Sequence, residues 1–156
     1  MPRKFLVVVD DSPEFDAALR FASRRAKSTG GRVVLLRVVP QDTDAHWSGA
    51  REEIERQQRE EAEAELQQWG ELVQGETGYP PEFLIVNADS TKAGLKQVLT
   101  DDEDIKILVL AAAAGRGGPG ALVAAIGKDG VRWGGRKVPV TIVPGDLSDE
   151  EIAELA

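Results

Sequence analysis

Apolar residues arrive in this chain in two rhythms that alternate from end to end. The first is a short, nearly unbroken run rich in β-branched residues. It recurs at Phe5–Val9 (FLVVV), Arg32–Val39 (RVVLLRVV), Glu82–Asn87 (EFLIVN), Ile105–Ala111 (IKILVLA) and Val138–Val143 (VPVTIV). Runs of this kind suit strands buried on both faces, as in a parallel sheet covered by helices above and below. The second rhythm is helical. Phe15, Ala18, Leu19, Ala22 and Ala26 share one face and stop at Gly30-Gly31, and Ile54, Ala62, Leu66, Trp69 and Val73 predict a long helix over about 50–73. Ala93, Leu95, Val98 and Leu99 predict another over 91–99. A short helix is expected over 120–126, an irregular glycine-rich stretch over 127–136, and a last helix over 149–155 opened by the capping box Ser148-Asp-Glu-Glu151. This alternation predicts an α/β fold, a doubly wound parallel sheet formed by a single domain over 1–156.

Chemistry gathers where strands end. The first run meets Asp10-Asp11-Ser12-Pro13. Ser12 is expected to cap the following helix, with Pro13 at its first position. A carboxylate between a strand end and a helix start is a common ground plan for an α/β ligand site. After the fourth run comes Ala112-Ala-Ala-Gly115-Arg116-Gly117-Gly118-Pro119-Gly120. Its N–H groups and the next helix's dipole can converge on an anion, with Arg116 as a charged donor. Gly115, Gly117 and Gly120 also spell G-x-G-x-x-G, but after the fourth strand and with no strand-end acid about twenty residues on, so a dinucleotide site is not indicated.

Catalytic groups are scarce. His46 is the single histidine, there is no cysteine, and nothing pairs a nucleophile with a base. Asp10 and Asp11 suit capping or ribose orientation better than a dedicated Mg²⁺ site. Asp101–Asp104 precedes a strand, at the edge opposite ligand-binding ends, and is expected to be a solvated loop. The charged stretch over 50–73, with four-apart pairs such as Arg59 and Glu63, reads as a solvated helix face.

Net charge narrows the partners. At 156 residues and −8, the chain lacks the basic surface that nucleic acid or an anionic membrane requires. The apolar run from Ile107 to Ala114 is too short to span a bilayer. The first residues have no signal-peptide shape, and a cytoplasmic location is expected.

Val-Val-Val-Asp10-Asp11-Ser12, Val-Val-Leu-Leu-Arg-Val-Val, Ile-Leu-Val-Leu-Ala, Gly115-Arg116-Gly117-Gly118 and Val138-Pro-Val-Thr-Ile-Val143 together resemble the universal stress protein family over nearly the whole chain. The resemblance implies a Rossmann-like, five-stranded sheet in the order 3-2-1-4-5, of the adenine-nucleotide-binding type. It implies a stress-response signalling module rather than an enzyme, binding ATP or AMP, with Mg²⁺ accompanying ATP. Asp10 would face the ribose or adenine, and Val38 would lend backbone to the base. Gly115, Arg116 and Gly118 would cradle the phosphates, and a homodimer would form through the fifth strand.

The family's nucleotide pattern is G-2x-G-9x-G-[ST], and this chain departs from it at three points. Ala112 replaces the first glycine, Gly127 comes two residues late, and Lys128 replaces the hydroxyl residue. Lys128 would then join Arg116 at one anion. The alternative is the family branch that lacks nucleotide binding and acts through protein contacts. A receiver-like phosphoacceptor fits less well, because Asn87 and Pro144 stand where a receiver needs an aspartate and a lysine.

Overall fold

Each apolar run forms a strand, and the five lie side by side in one parallel sheet. The computed structural model describes residues 2–41 and 48–156; His46 lies outside them. The sheet strands are β1 (Lys4–Val8), β2 (Arg32–Pro40), β3 (Glu82–Ala88), β4 (Ile105–Ala112) and β7 (Val140–Pro144), in the order β3-β2-β1-β4-β7. This is the expected 3-2-1-4-5 arrangement, with β7 as the fifth sheet strand. β1 is central, with Leu6 in register with Val34 on one side and Leu108 on the other.

The pleat sorts the core. Phe5, Val7 and Val9 face α1 (Phe15–Thr29) and α2 (Ser48–Thr77), packing with Leu19, Ala22, Leu66 and Val73. Leu6 and Val8 face α3 (Thr91–Asp101) and α4 (Ala121–Asp129), packing with Leu95, Leu99 and Ile126. Alternate side chains of one continuous apolar run thus serve two layers, which is why β1 has no polar position after Lys4.

Several boundaries differ from expectation, each for a local reason. α1 starts at Phe15, not Pro13, and its N-cap is Glu14, which makes no side-chain cap bond. Ser12 is already committed: its backbone N–H (2.9 Å) and hydroxyl (2.5 Å) both donate to Asp10 Oδ1. α2 continues through Gly75 to Thr77 and turns at Gly78, whose N–H donates to Gln74 O at 2.8 Å. Ile54 is not in the core; it is 41% exposed, and no described residue of α2 is buried before Ala62. The charged face is solvated as expected, with Arg59 Nε 3.6 Å from Glu63 Oε1.

The largest difference lies before β7. α4 runs on to Asp129, so Gly127 and Lys128 form its last turn and do not lie in a loop. The stretch that follows is an antiparallel hairpin of β5 (Arg132–Trp133) and β6 (Arg136–Lys137). Gly134 and Gly135 both have positive φ (59° and 88°), which a two-residue hairpin turn requires. Trp133 inserts into the core on the α3–α4 side.

Arg136 anchors the hairpin. Its guanidinium donates to the carbonyls of Leu99 (2.6 Å), Asp102 (2.7 Å), Glu103 (2.9 Å) and Ile105, and so closes the end of α3. Nearby, Lys4 Nζ lies 2.8 Å from both Glu82 and Asp102. Burial alone would raise the Asp102 carboxyl, yet the hydrogen bond from Lys4 and the N–H of Asp104 hold it below the usual range. Hydrogen bonds to Asp102 and Glu82 raise Lys4 in turn. Of the acids at 101–104, Asp102 therefore braces the sheet's N-terminal edge, while Asp101 and Glu103 are exposed as expected. α5 (Asp149–Leu155) opens on the expected capping box and buries Ile152. Among the described residues, no helix is long and apolar enough to cross a membrane.

Candidate functional site

In a parallel sheet wound both ways, the connections leaving β1 and β4 go to opposite faces, and a crevice opens between their C-terminal ends. Here that crevice is a cavity of about 440 Å³. Its floor is Val8 with Val109, Leu110 and Ala111, the ends of β1 and β4. Three helix starts supply the walls: Ser12, Glu14 and Phe15 before and at α1, Ser90 to Lys92 at α3, and Pro119 to Val123 at α4.

The starts of α3 and α4 carry unspent donors, whereas at α1 the N–H groups of Phe15 and Ala17 already donate to Ser12 O and Glu14 O. The N-caps of α1 (Glu14) and α4 (Gly120) make no side-chain cap bond. At α3, Ser90 Oγ accepts only the N–H of Ala93, at 3.1 Å. The remaining first-turn N–H groups and the positive ends of the dipoles favour an anion. Gly118 (φ 87°) and Gly120 (φ 101°) make the turn into α4, and Ala113 N–H closes the loop on Pro119 O at 3.1 Å.

Charge in the cavity is polarised. Asp10 and Glu14 line it beside α1. Lys92 is the one lysine or arginine among its lining residues, and it is ion-paired with Asp129 of α4. The hydrogen bond from Lys92 holds the Asp129 carboxyl below its usual range.

The residues singled out from sequence fall in different places. Asp10 lines the cavity, its Oδ1 fixed by Ser12. Val38, on β2, packs its methyls against α3, where a Cβ on Gly94 would lie 2.6 Å from Val38 Cγ2. Gly115, Arg116 and Gly118 are exposed in the β4–α4 loop and do not line the cavity. Gly127 and Lys128 do not line it either. Seven residues of helix rise separate Ala121 from Lys128, roughly 10 Å. Arg116 therefore stands before the start of α4 and Lys128 in its last turn. Lys92, Ser90, Thr91 and Glu14 were not singled out from sequence. The available signal was Ser90-Thr91 at the exit of a strand, a helix start on the ligand-binding edge.

The receiver arrangement is not built: β3 ends in Asn87-Ala88, β7 ends in Pro144, and Lys137 lies in the hairpin. Among the described residues, no group of three or more His, Asp or Glu is placed to hold a metal ion.

Solved structures with this fold are numerous. The universal stress protein UspA from Lactobacillus plantarum superposes with a TM-score of 0.70 at 17% identity, covering 90% of this chain and 97% of that one. The universal stress protein from Archaeoglobus fulgidus in complex with dAMP gives 0.59 at 16% identity, covering 92% and 98%. A universal stress protein in complex with cAMP gives 0.61 at 14%, covering 93% and 98%. No curated protein matches this sequence. At such identities the superpositions establish the fold alone. The sequence itself matches the universal stress protein family over residues 1–144, and with the strand order and switch-point cavity in place, the chain belongs to that family.

Proposed function

We propose that the switch-point cavity binds an adenine nucleotide, AMP or ATP, and that the protein is a cytoplasmic stress-response signalling module rather than an enzyme. One observation carries this reading: the N-termini of α3 and α4 and a lysine share a single cavity between β1 and β4 with two carboxylates at the start of α1. That polarity suits a ligand with an anionic end and a hydroxyl-bearing end. Phosphate belongs against the starts of α3 and α4, where N–H groups are available. Asp10 then accepts from the sugar or base. Structural neighbours in complex with dAMP and cAMP support the adenine class. Mg²⁺ accompanying ATP would find its carboxylates in Asp10 and Glu14.

Mass spectrometry of nucleotide released from the denatured protein, followed by calorimetry, tests the reading. Asp10→Ala is expected to weaken AMP roughly 10- to 100-fold, the loss of one hydrogen bond to a charged group, with the circular dichroism spectrum unchanged. No binding of ATP or AMP at millimolar concentration by the folded protein would place it in the branch that acts through protein contacts. NAD binding more tightly than either would favour the dinucleotide reading.

The same reading includes a homodimer through β7. Among the described residues β7 pairs only with β4, and it leaves Ile142 43% exposed at the sheet edge. An open edge with an apolar side chain is suited to pairing with its own copy about a two-fold axis. Pro144 cannot donate to such a ladder, so side chains would carry much of the contact. Light scattering at micromolar concentration is expected to show a dimer for the native protein and a monomer for Ile142→Lys. A native protein that is monomeric there refutes it.

A further inference from the structure

We propose that Lys92 is the phosphate-binding cation of the switch-point cavity, and that Asp129 holds it in reserve until an anion draws it away. The inference rests on the nucleotide reading above and adds a residue that lies outside the β4–α4 loop. An anionic ligand entering beside Asp10 and Glu14 meets two carboxylates, and among the described residues Lys92 is the only lining residue that can balance them. Arg116 and Lys128 are not in the lining.

Lys92 is also placed to move. It stands on the wall between the main cavity and a smaller one of about 190 Å³, and Leu122 and Ala125 line both. Asp129 lines the smaller cavity alone. The Lys92 side chain is 48% exposed and that of Asp129 44%, so their pairing is a solvated one. Such pairs are weak, and a phosphate dianion flanked by helix N-termini is a stronger partner than one carboxylate in water. A flexible four-carbon stem lets the ammonium exchange one oxygen anion for the other without moving α3. Ser90 Oγ keeps the helix start ordered through the Ala93 N–H, which fixes the pivot.

Calorimetry with AMP and adenosine, on the full chain and three variants, tests this. Lys92→Gln is expected to weaken AMP about tenfold or more, one charge-assisted bond, and to leave adenosine within twofold. Lys92→Arg is expected to keep most of the AMP affinity. Asp129→Asn is expected to tighten AMP several-fold, and that gain should vanish in Lys92→Gln/Asp129→Asn if it acts through Lys92. Thermal melts and adenosine binding confirm that each variant is folded. Native-like AMP affinity in Lys92→Gln would overturn the assignment and leave the nucleotide reading standing. An Asp129→Asn gain that persists without Lys92 would overturn the reserve role. A native protein that binds neither ligand would overturn both readings.

Discussion

Arg136→Ala is expected to destabilise the protein by about 3 kcal/mol, because one half-buried guanidinium serves four backbone carbonyls. Leu99 O belongs to the last turn of α3, where carbonyls have no partner within the helix. The carbonyls of Asp102, Glu103 and Ile105 follow it into β4. Alanine leaves all four to water or to nothing, and removes the positive charge that complements the end of the α3 dipole. Lysine keeps the charge but not the planar fork, and should recover about half of the loss. The hairpin that carries Arg136 also inserts Trp133 into the core, so both should loosen together. Urea denaturation measures the effect, and a melting temperature lower by roughly 6–12 °C is the thermal counterpart at this size. A loss below about 0.5 kcal/mol would show that the staple contributes little.

Gly145→Ala is the second large effect, expected to cost about 2 kcal/mol and to weaken AMP roughly tenfold. Gly145 follows β7 and donates its N–H to Ala112 O at 2.8 Å, pinning the ends of β7 and β4 together. A Cβ there would lie 2.4 Å from Glu14 Cβ and 2.6 Å from Ala112 O. The second contact is with backbone, which cannot rotate away, so the segment after β7 must separate from Glu14 at the start of α1 and from the end of β4. Glu14 and Ala111 both line the cavity, so the separation alters the site as well as the core. Gly127→Ala is the internal control. An added Cβ there meets nothing within 4 Å, in the last turn of α4. It should leave AMP binding unchanged and stabilise by about 0.5–1 kcal/mol through helix propensity. If Gly127→Ala abolishes AMP binding while Gly145→Ala does not, the cavity described here is not the site.

The strands were legible because a strand buried on both faces leaves no room for polar alternation. Phe5–Val9 and Arg32–Val39 show this as continuous runs, and the turns between them carry glycine and proline. The C-terminal capping box was legible for a different reason: its two bonds lie within four residues. Helix ends were less so. Gly75 and Gly127 look like stops, yet the helices run past them to Thr77 and Asp129, at a propensity cost of about 1 kcal/mol each. The hairpin turn Gly134-Gly135 had a local signal of its own, but it sits in so short a pair of strands that no apolar alternation announces it.

By itself the sequence determined the order of elements, the layer each strand serves and the position of Asp10 at the end of the central strand. These follow from local pattern and from the handedness of parallel crossovers. The tertiary structure decided which charges share the cavity. Arg116 and Lys128 flank the glycine loop in the chain, yet a helix holds them apart and away from the crevice. Lys92 comes from a helix start two strands across the sheet. A parallel sheet gathers the C-terminal ends of all its strands along one edge, so residues distant in sequence meet there, and neighbours joined by a helix do not.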